Sequence, residues 1–257
     1  MNKRLLLIVF ILATMASFPW AKADDLLTPE ESAWLKQHAP IKVGAFNDYP
    51  PFGFVAEDGR AQGISVDYWT RLAGKLGFDV VFSPTHFNGQ LEGLKKGEYD
   101  SLAGIFPLEE RAEYFDFSRH YMDINTYIFI QAQSSKEPAG LNDLKETKVG
   151  VVKGDSGQVL CEAAGLKPEG FKDYPDAIKT LAAGGLDAIV MDELVVYYVL
   201  TQNNLRDRVK RVGLPVDQGH MTLPVKKGNQ VLLDILNKGI AQFSPSELGE
   251  IAEKWLR

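Results

Sequence analysis

The order of elements in this chain returns. Lys42-Val43-Gly44 opens one series of alternating strand-like and helix-like runs, and Lys148-Val149-Gly150 opens another. In the first, Leu91 to Gly97 reads as a short helix with a glycine stop, leading through Glu98-Tyr99-Asp100 into Ser101-Leu102-Ala103. In the second, Ile178 to Gly184 leads through Gly185-Leu186-Asp187 into Ala188-Ile189-Val190. Each strand delivers a charged segment, Glu109-Glu110-Arg111 in one case and Asp192-Glu193 in the other. Strands that alternate with helices pair in parallel, because re-entering a sheet in the same direction requires a crossover. Performing this twice predicts two similar α/β lobes. One continuous sheet, whose βα units merely look alike, is the competing arrangement.

The punctuation places further elements. Thr28-Pro29-Glu30-Glu31 reads as an N-cap, a proline at the first helical position and acids in the first turn, so a helix is expected to about Gln37. Ile41 to Phe46 reads as a strand that ends in the loop Asp48-Tyr49-Pro50-Pro51. Val66 to Leu76 has helical apolar spacing and Gly77 as its stop, and Gln230 to Ile240 is a second amphipathic helix. Two β-rich runs, Thr126–Gln133 and His220–Val225, predict two crossings between lobes. The expected division is 1–23 leader, 24–40 linker and helix, 41–129 first lobe, 130–221 second lobe and 222–257 return to the first. Ligands in such sheets bind beyond the carboxyl ends of the strands, and two lobes facing each other form a cleft that closes by hinge bending.

Lys3 and Arg4 precede the apolar run Leu5–Trp20, and Ala21-Lys22-Ala23 is a small-x-small cleavage pattern. This predicts a cleavable export signal cut after Ala23, since the run falls short of the roughly 20 residues that span a bilayer. No cysteine follows it to accept a lipid. The net charge of −6 carries no basic cluster, which excludes a nucleic-acid footprint. Cys161 is the one cysteine, so no internal disulfide can form, and its helical surroundings predict a buried thiol. His38, His86, His120 and His220 lack the short spacing of metal ligands, so no metal site and no cofactor are expected.

Five segments carry a resemblance: Asp48-Tyr49-Pro50-Pro51-Phe52, Gly63 to Asp67, Glu110-Arg111 with Phe115-Asp116-Phe117-Ser118, Gly184 to Asp192, and Glu253-Lys254-Trp255. In order and spacing they resemble the family 3 periplasmic solute-binding proteins, the venus-flytrap receptors for polar amino acids, from about Ile41 to Trp255. The resemblance implies a two-lobed periplasmic-binding-protein fold of type II. It implies that Tyr49 and Phe87 cover the ligand, that Arg111 binds its α-carboxylate and that Asp192 takes its α-ammonium. Asp155 and Ser156 would come from the Gly-x-Ser loop of the second lobe, and Gly104 and Phe106 from the segment leading to Arg111. A guanidinium fork suits a carboxylate bidentately, and a cleft carboxylate is the natural partner of an ammonium.

One departure matters. The family places a Ser or Thr five residues before the arginine, where this chain has Phe106 followed by Pro107. The missing hydroxyl and the added ring predict a narrowed cleft and a ligand that is smaller, more apolar or not a standard α-amino acid. The opening Leu27–His38 helix and the segment from Phe243 to Trp255 resemble flytrap domains of sensor kinases. The expected function is capture of an amino acid or related small carboxylate for an inner-membrane ABC permease, by a monomer. A membrane sensor is the alternative partner. A periplasmic enzyme of cyclohexadienyl-dehydratase type is the least favoured reading: Glu193, Asp155 and His86 are its only plausible acids, and no nucleophile–base spacing supports it.

Overall fold

Thr28 starts the first helix by a reciprocal cap. Its Oγ1 accepts the Glu31 N–H at 3.2 Å, and the Glu31 carboxylate accepts the Thr28 N–H at 2.6 Å. The computed structural model describes residues 26–256, without the side chains of Phe87 and Asn88, so the expected leader and its cut after Ala23 lie outside the described residues. Helix α1 (Pro29–His38) is tied to the rest of the fold by Lys238 Nζ, 2.6 Å from Glu31.

The chain then runs through β1 (Ile41–Phe46), β2 (Asp48–Tyr49), β3 (Gly53–Val55), β4 (Ala61–Gln62), α2 (Ile64–Leu76), β5 (Val80–Thr85), α3 (Phe87–Lys96), β6 (Ser101–Leu102) and β7 (Phe115–Phe117). Next come β8 (Met122–Gln131), β9 (Val149–Val152), α4 (Ser156–Ala163), β10 (Glu169–Phe171), α5 (Tyr174–Ala182), β11 (Ala188–Asp192) and α6 (Glu193–Gln202). The last elements are β12 (Val209–Met221), β13 (Pro224–Lys226), α7 (Gln230–Ile240) and α8 (Pro245–Leu256).

Two five-stranded sheets result, ordered β5-β1-β6-β13-β7 and β10-β9-β11-β8-β12. The competing arrangement of one continuous sheet is thereby excluded. In the first lobe β1 is parallel to β5 and β6, and the returning β13 closes the sheet antiparallel to β6 and β7. In the second, β9, β10 and β11 are parallel, and β8 and β12 are antiparallel neighbours. Buried side chains on both faces of this second sheet, Phe129 and Met191 on one and Val151, Val190 and Cys161 on the other, explain its unbroken apolar strands. Helix α2 packs Ile64, Trp69, Leu72 and Leu76 into the core of the first lobe and ends at Gly77, whose φ of 75° is the left-handed stop expected of it.

The crossings are one structure. Strands β8 and β12 pair along most of their length, from Met122 opposite Met221 to Gln131 opposite Val209, with a register break between Val212 and Asp217. The sequence signal for the second crossing was a short run at His220–Val225. The strand instead begins at Val209, ends at Met221 and is separated from β13 by Thr222-Leu223. The loop expected at Asp48-Tyr49 is a strand of a small three-stranded sheet, β2-β3-β4. Away from these crossings the lobes also touch: Phe54 on β3 lies 5.7 Å from Tyr198 on α6, and Trp255 on α8 backs the Phe54 ring at 5.5 Å from within the first lobe. Arg206 Nη2 donates to the Leu256 carbonyl at 3.1 Å beside them.

Candidate functional site

Asp192 ends β11, a strand buried along its whole length, so its carboxylate is delivered at the strand tip between the lobes and is 2% exposed. Two hydroxyls meet it there. Thr126 Oγ1, from the register partner on β8, donates to Oδ1 at 2.7 Å. Tyr49, from β2 of the first lobe, donates to Oδ2 at 2.5 Å. One carboxylate thus joins both lobes. The Tyr49 ring is fixed by stacking on Phe52 at 4.9 Å and by an edge contact with Phe46 at 5.3 Å.

Asp155 caps the approach from the other side. Helix α4 seats directly on β11 because Gly157 has no side chain: a Cβ there would stand 2.2 Å from the Val190 carbonyl oxygen. This close approach brings Asp155 and the partly buried Ser156 beside the Asp192 strand end. Asp155 Oδ2 is buried with no hydrogen-bond partner among the described residues. Tyr174, at the first position of α5 behind the Asp173 cap, sets its ring 5.9 Å from Tyr49.

The electrostatics follow from crowding acids in a dry place. Burial first, and the Asp192 charge second, push the Asp155 carboxyl up to about 7, against the opposing pull of polar groups on Ser156 and Tyr174. Burial also raises Asp192, as does Asp217 on β12, while the Tyr49 and Thr126 hydroxyls lower it. Tyr49 and Tyr174 are held well above the ordinary phenol value, chiefly by burial and then by these carboxylates. The folded protein therefore keeps a proton on Asp155 that the unfolded chain, with an ordinary value of 3.8, has already released. Stability contributed by this group is full below about pH 4 and is lost as pH rises toward 7. In ligand-free protein, melting temperature should fall across that window less in Asp155→Asn than in wild type; parallel curves would show that Asp155 does not titrate there.

The remaining expected residues form a second group. Arg111 sits in a single 3₁₀ turn, Glu109–Arg111, and its Nη1 donates to the Phe106 carbonyl at 2.8 Å, folding the loop back on itself. Burial lowers its pKa and Glu110 opposes that, and a guanidinium remains charged at neutral pH. The Phe106 ring lies over Gly219 on β12, where a Cβ would be 2.6 Å from Cε1. Gly104 is pressed against Met221 and Tyr121, within 2.8 Å of both for any added Cβ. Strand β12 links the two groups: its Asp217 acts on Asp192, and its Gly219 supports Phe106. Phe87 opens α3, and its side chain is outside the described residues.

Sequence reading missed Tyr174 and gave Thr126 no role beyond a strand. A signal for the first existed: Asp-Tyr-Pro occurs at 48–50 and again at 173–175, and the two tyrosines face each other. Of the other acids considered, Glu193 is ion-paired with Arg211, and His86 is exposed, 3.4 Å from Asp48. No helix among the described residues is long and apolar enough to cross a membrane.

Residues 41–257 match the model of the bacterial extracellular solute-binding proteins, family 3. The L-cystine-binding protein TcyJ of Escherichia coli K12 is 29% identical over 229 residues, 86% of this chain and 84% of that protein. An ancestral arginine-binding protein, solved bound to glutamine, superposes with a TM-score of 0.67 at 33% identity, over 84% of this chain and 96% of the other. A histidine kinase sensor domain with similarity to periplasmic binding proteins gives a TM-score of 0.71 at 28% identity, over 86% and 97%. With two lobes, two crossing strands and a polar site between them, the chain belongs to the bacterial extracellular solute-binding proteins, family 3.

Proposed function

We propose that this chain captures an amino acid or a related small carboxylate between its lobes in the periplasm, after removal of the leader behind Ala23, and delivers it to an inner-membrane ABC importer as a monomer. The observation that carries this reading is the buried Asp192 carboxylate, held between hydroxyls of both lobes with the acid Asp155 beside it. Such a site favours an ammonium, which replaces the Tyr49 hydroxyl as donor to Asp192. The ligand carboxylate goes to Arg111, and Gly104 and Phe106 form the adjoining wall. Asp155 and Ser156 contact the ligand from the second lobe, with Tyr49 and Phe87 over it. Amino-acid ligands of the relatives described above support this polarity.

The reading is of a receptor rather than an enzyme. Of the three acids that could serve as a general acid, Glu193 is engaged by Arg211 and His86 lies in the open, which leaves Asp155 without a base or nucleophile assigned to it. A membrane sensor is the second reading for the partner, favoured by the likeness to a kinase sensor domain.

Thermal shift across the proteinogenic amino acids, cystine and small carboxylates tests the reading. A ligand at 100 times its Kd should add about 2.7 kcal/mol of stability. Its methyl ester and its decarboxylated analogue should lose that effect. If no amino acid or carboxylate shifts the melting curve, the proposal fails.

A further inference from the structure

The outer face of the crossing strands holds a cluster that the solute site does not use. His220 on β12 stands directly opposite Asp123 on β8, and His120 precedes β8 by two positions. His220 Nδ1 is 2.8 Å from Asp123 Oδ1, and His120 Nε2 is 3.9 Å from the same oxygen. The two imidazole rings are 5.2 Å apart, and one donor atom from each of the three residues lies within 4.8 Å of the others. Histidines with no useful spacing in sequence are thus brought together by strand pairing.

We propose that His120, Asp123 and His220 form a binding site for a divalent transition-metal ion of the zinc class. Two imidazole nitrogens and one carboxylate are the donor set that suits zinc and its first-row neighbours, whereas calcium and magnesium take oxygen. Zinc bonds of about 2.0–2.2 Å in tetrahedral geometry require donors roughly 3.3 Å apart. The spacings here straddle that value, and all three side chains are exposed, so small rotations of each suffice. The next rung on the same face is closed, since Gln218 Nε2 already donates to Asn125 Oδ1 at 2.9 Å, and water therefore completes the coordination. The ion ties together the segment entering β8 and the strand leaving the second lobe, at the end of the paired crossings nearest the first lobe. It acts as a clip on the hinge, on the face opposite Ile124 and Gly219.

The experiment is calorimetric titration of the exported chain with ZnCl2 in a non-chelating buffer at neutral pH, paired with the visible spectrum of the Co2+ form. One equivalent should bind, and the cobalt spectrum should show the intense bands of a tetrahedral site. His120→Ala and His220→Ala should each weaken binding at least about tenfold, the scale seen when partners of metal ligands are removed. A His38→Ala/His86→Ala double variant should bind as wild type, and millimolar Ca2+ or Mg2+ should not compete. The absence of saturable Zn2+ binding below millimolar overturns the proposal. So does undiminished binding in the folded His120→Ala protein, which reduces the cluster to a surface His220–Asp123 pair. The cobalt spectrum decides on wild-type protein alone, should either variant fail to fold.

Discussion

Replacing Arg111 by alanine is expected to weaken binding of the cognate ligand by about 3–5 kcal/mol, because its carboxylate would be left desolvated without a partner. That is a loss of two to four orders of magnitude at about 1.4 kcal/mol per tenfold. Asp192→Ala should act on the other pole of the ligand with similar size. The two differ in how they are held in the empty protein. Arg111 is partly exposed and donates to the Phe106 carbonyl of its own loop, so melting of the ligand-free Arg111→Ala protein is the control that separates loss of a ligand contact from loss of fold. Asp192 accepts hydroxyls from both lobes, and its removal strands the Tyr49 and Thr126 donors, so Asp192→Asn is the companion variant. Calorimetric titration of the three variants, with melting of the ligand-free proteins, checks this. Binding within threefold of wild type in both alanine variants would sink the assignment of the two poles.

The largest effect on stability is expected at Trp69. The side chain is fully buried in the first lobe, on the face of α2 that packs against the sheet, and its Nε1 donates to the Leu102 carbonyl at 3.2 Å. Truncation to alanine removes the ring, leaves a cavity that rigid neighbours only partly fill, and abandons that carbonyl. Such changes cost about 3–5 kcal/mol. For a chain of this size that lowers the melting temperature by roughly 6–20 °C. Leu214, 80% exposed on β12, is the contrast, and its alanine variant should stay within about 0.5 kcal/mol of wild type. Equal melting of the two variants would show that α2 is not seated as described.

What the sequence revealed depended on how local each signal was. The cap at Thr28, the apolar stripe of α2 and its stop at Gly77 are determined within a few residues, and they were legible. The repeat of βα units was legible because each unit carries its own helix-to-strand punctuation. Strand β12 was not. Gly213, Pro215, Asp217 and Gly219 read as turn material, yet they lie in an edge strand whose register breaks between Val212 and Asp217, where such residues are tolerated. The strand at Asp48-Tyr49 is two residues long and exists only because β3 pairs with it. At the candidate site, the family resemblance pointed to Tyr49, Asp155 and Asp192, which lie close to one another. Tyr174 had its signal in the repeated Asp-Tyr-Pro, but Thr126 could not be read from local pattern, since a hydroxyl's role depends on which strand end the fold sets opposite it. The His120–His220 contact is of the same kind, produced by cross-strand register rather than by spacing.

The contact of Phe54 with Tyr198, reinforced by Arg206 on the Leu256 carbonyl, joins the lobes at a place outside the candidate site, and so offers closure a source of free energy that owes nothing to the solute. A receptor whose competent form is occupied for only a fraction of the time binds with an affinity reduced by that fraction. Residues that never meet the ligand therefore scale its apparent affinity, for every ligand alike, without altering the order of preference among them. Changes at Phe54 or Tyr198 would move the working concentration range of such a receptor up or down, while the contacts proposed at Arg111, Asp155 and Asp192 would still decide which molecules fall within it. Sensitivity and selectivity would thereby be separable in such a receptor and could drift independently.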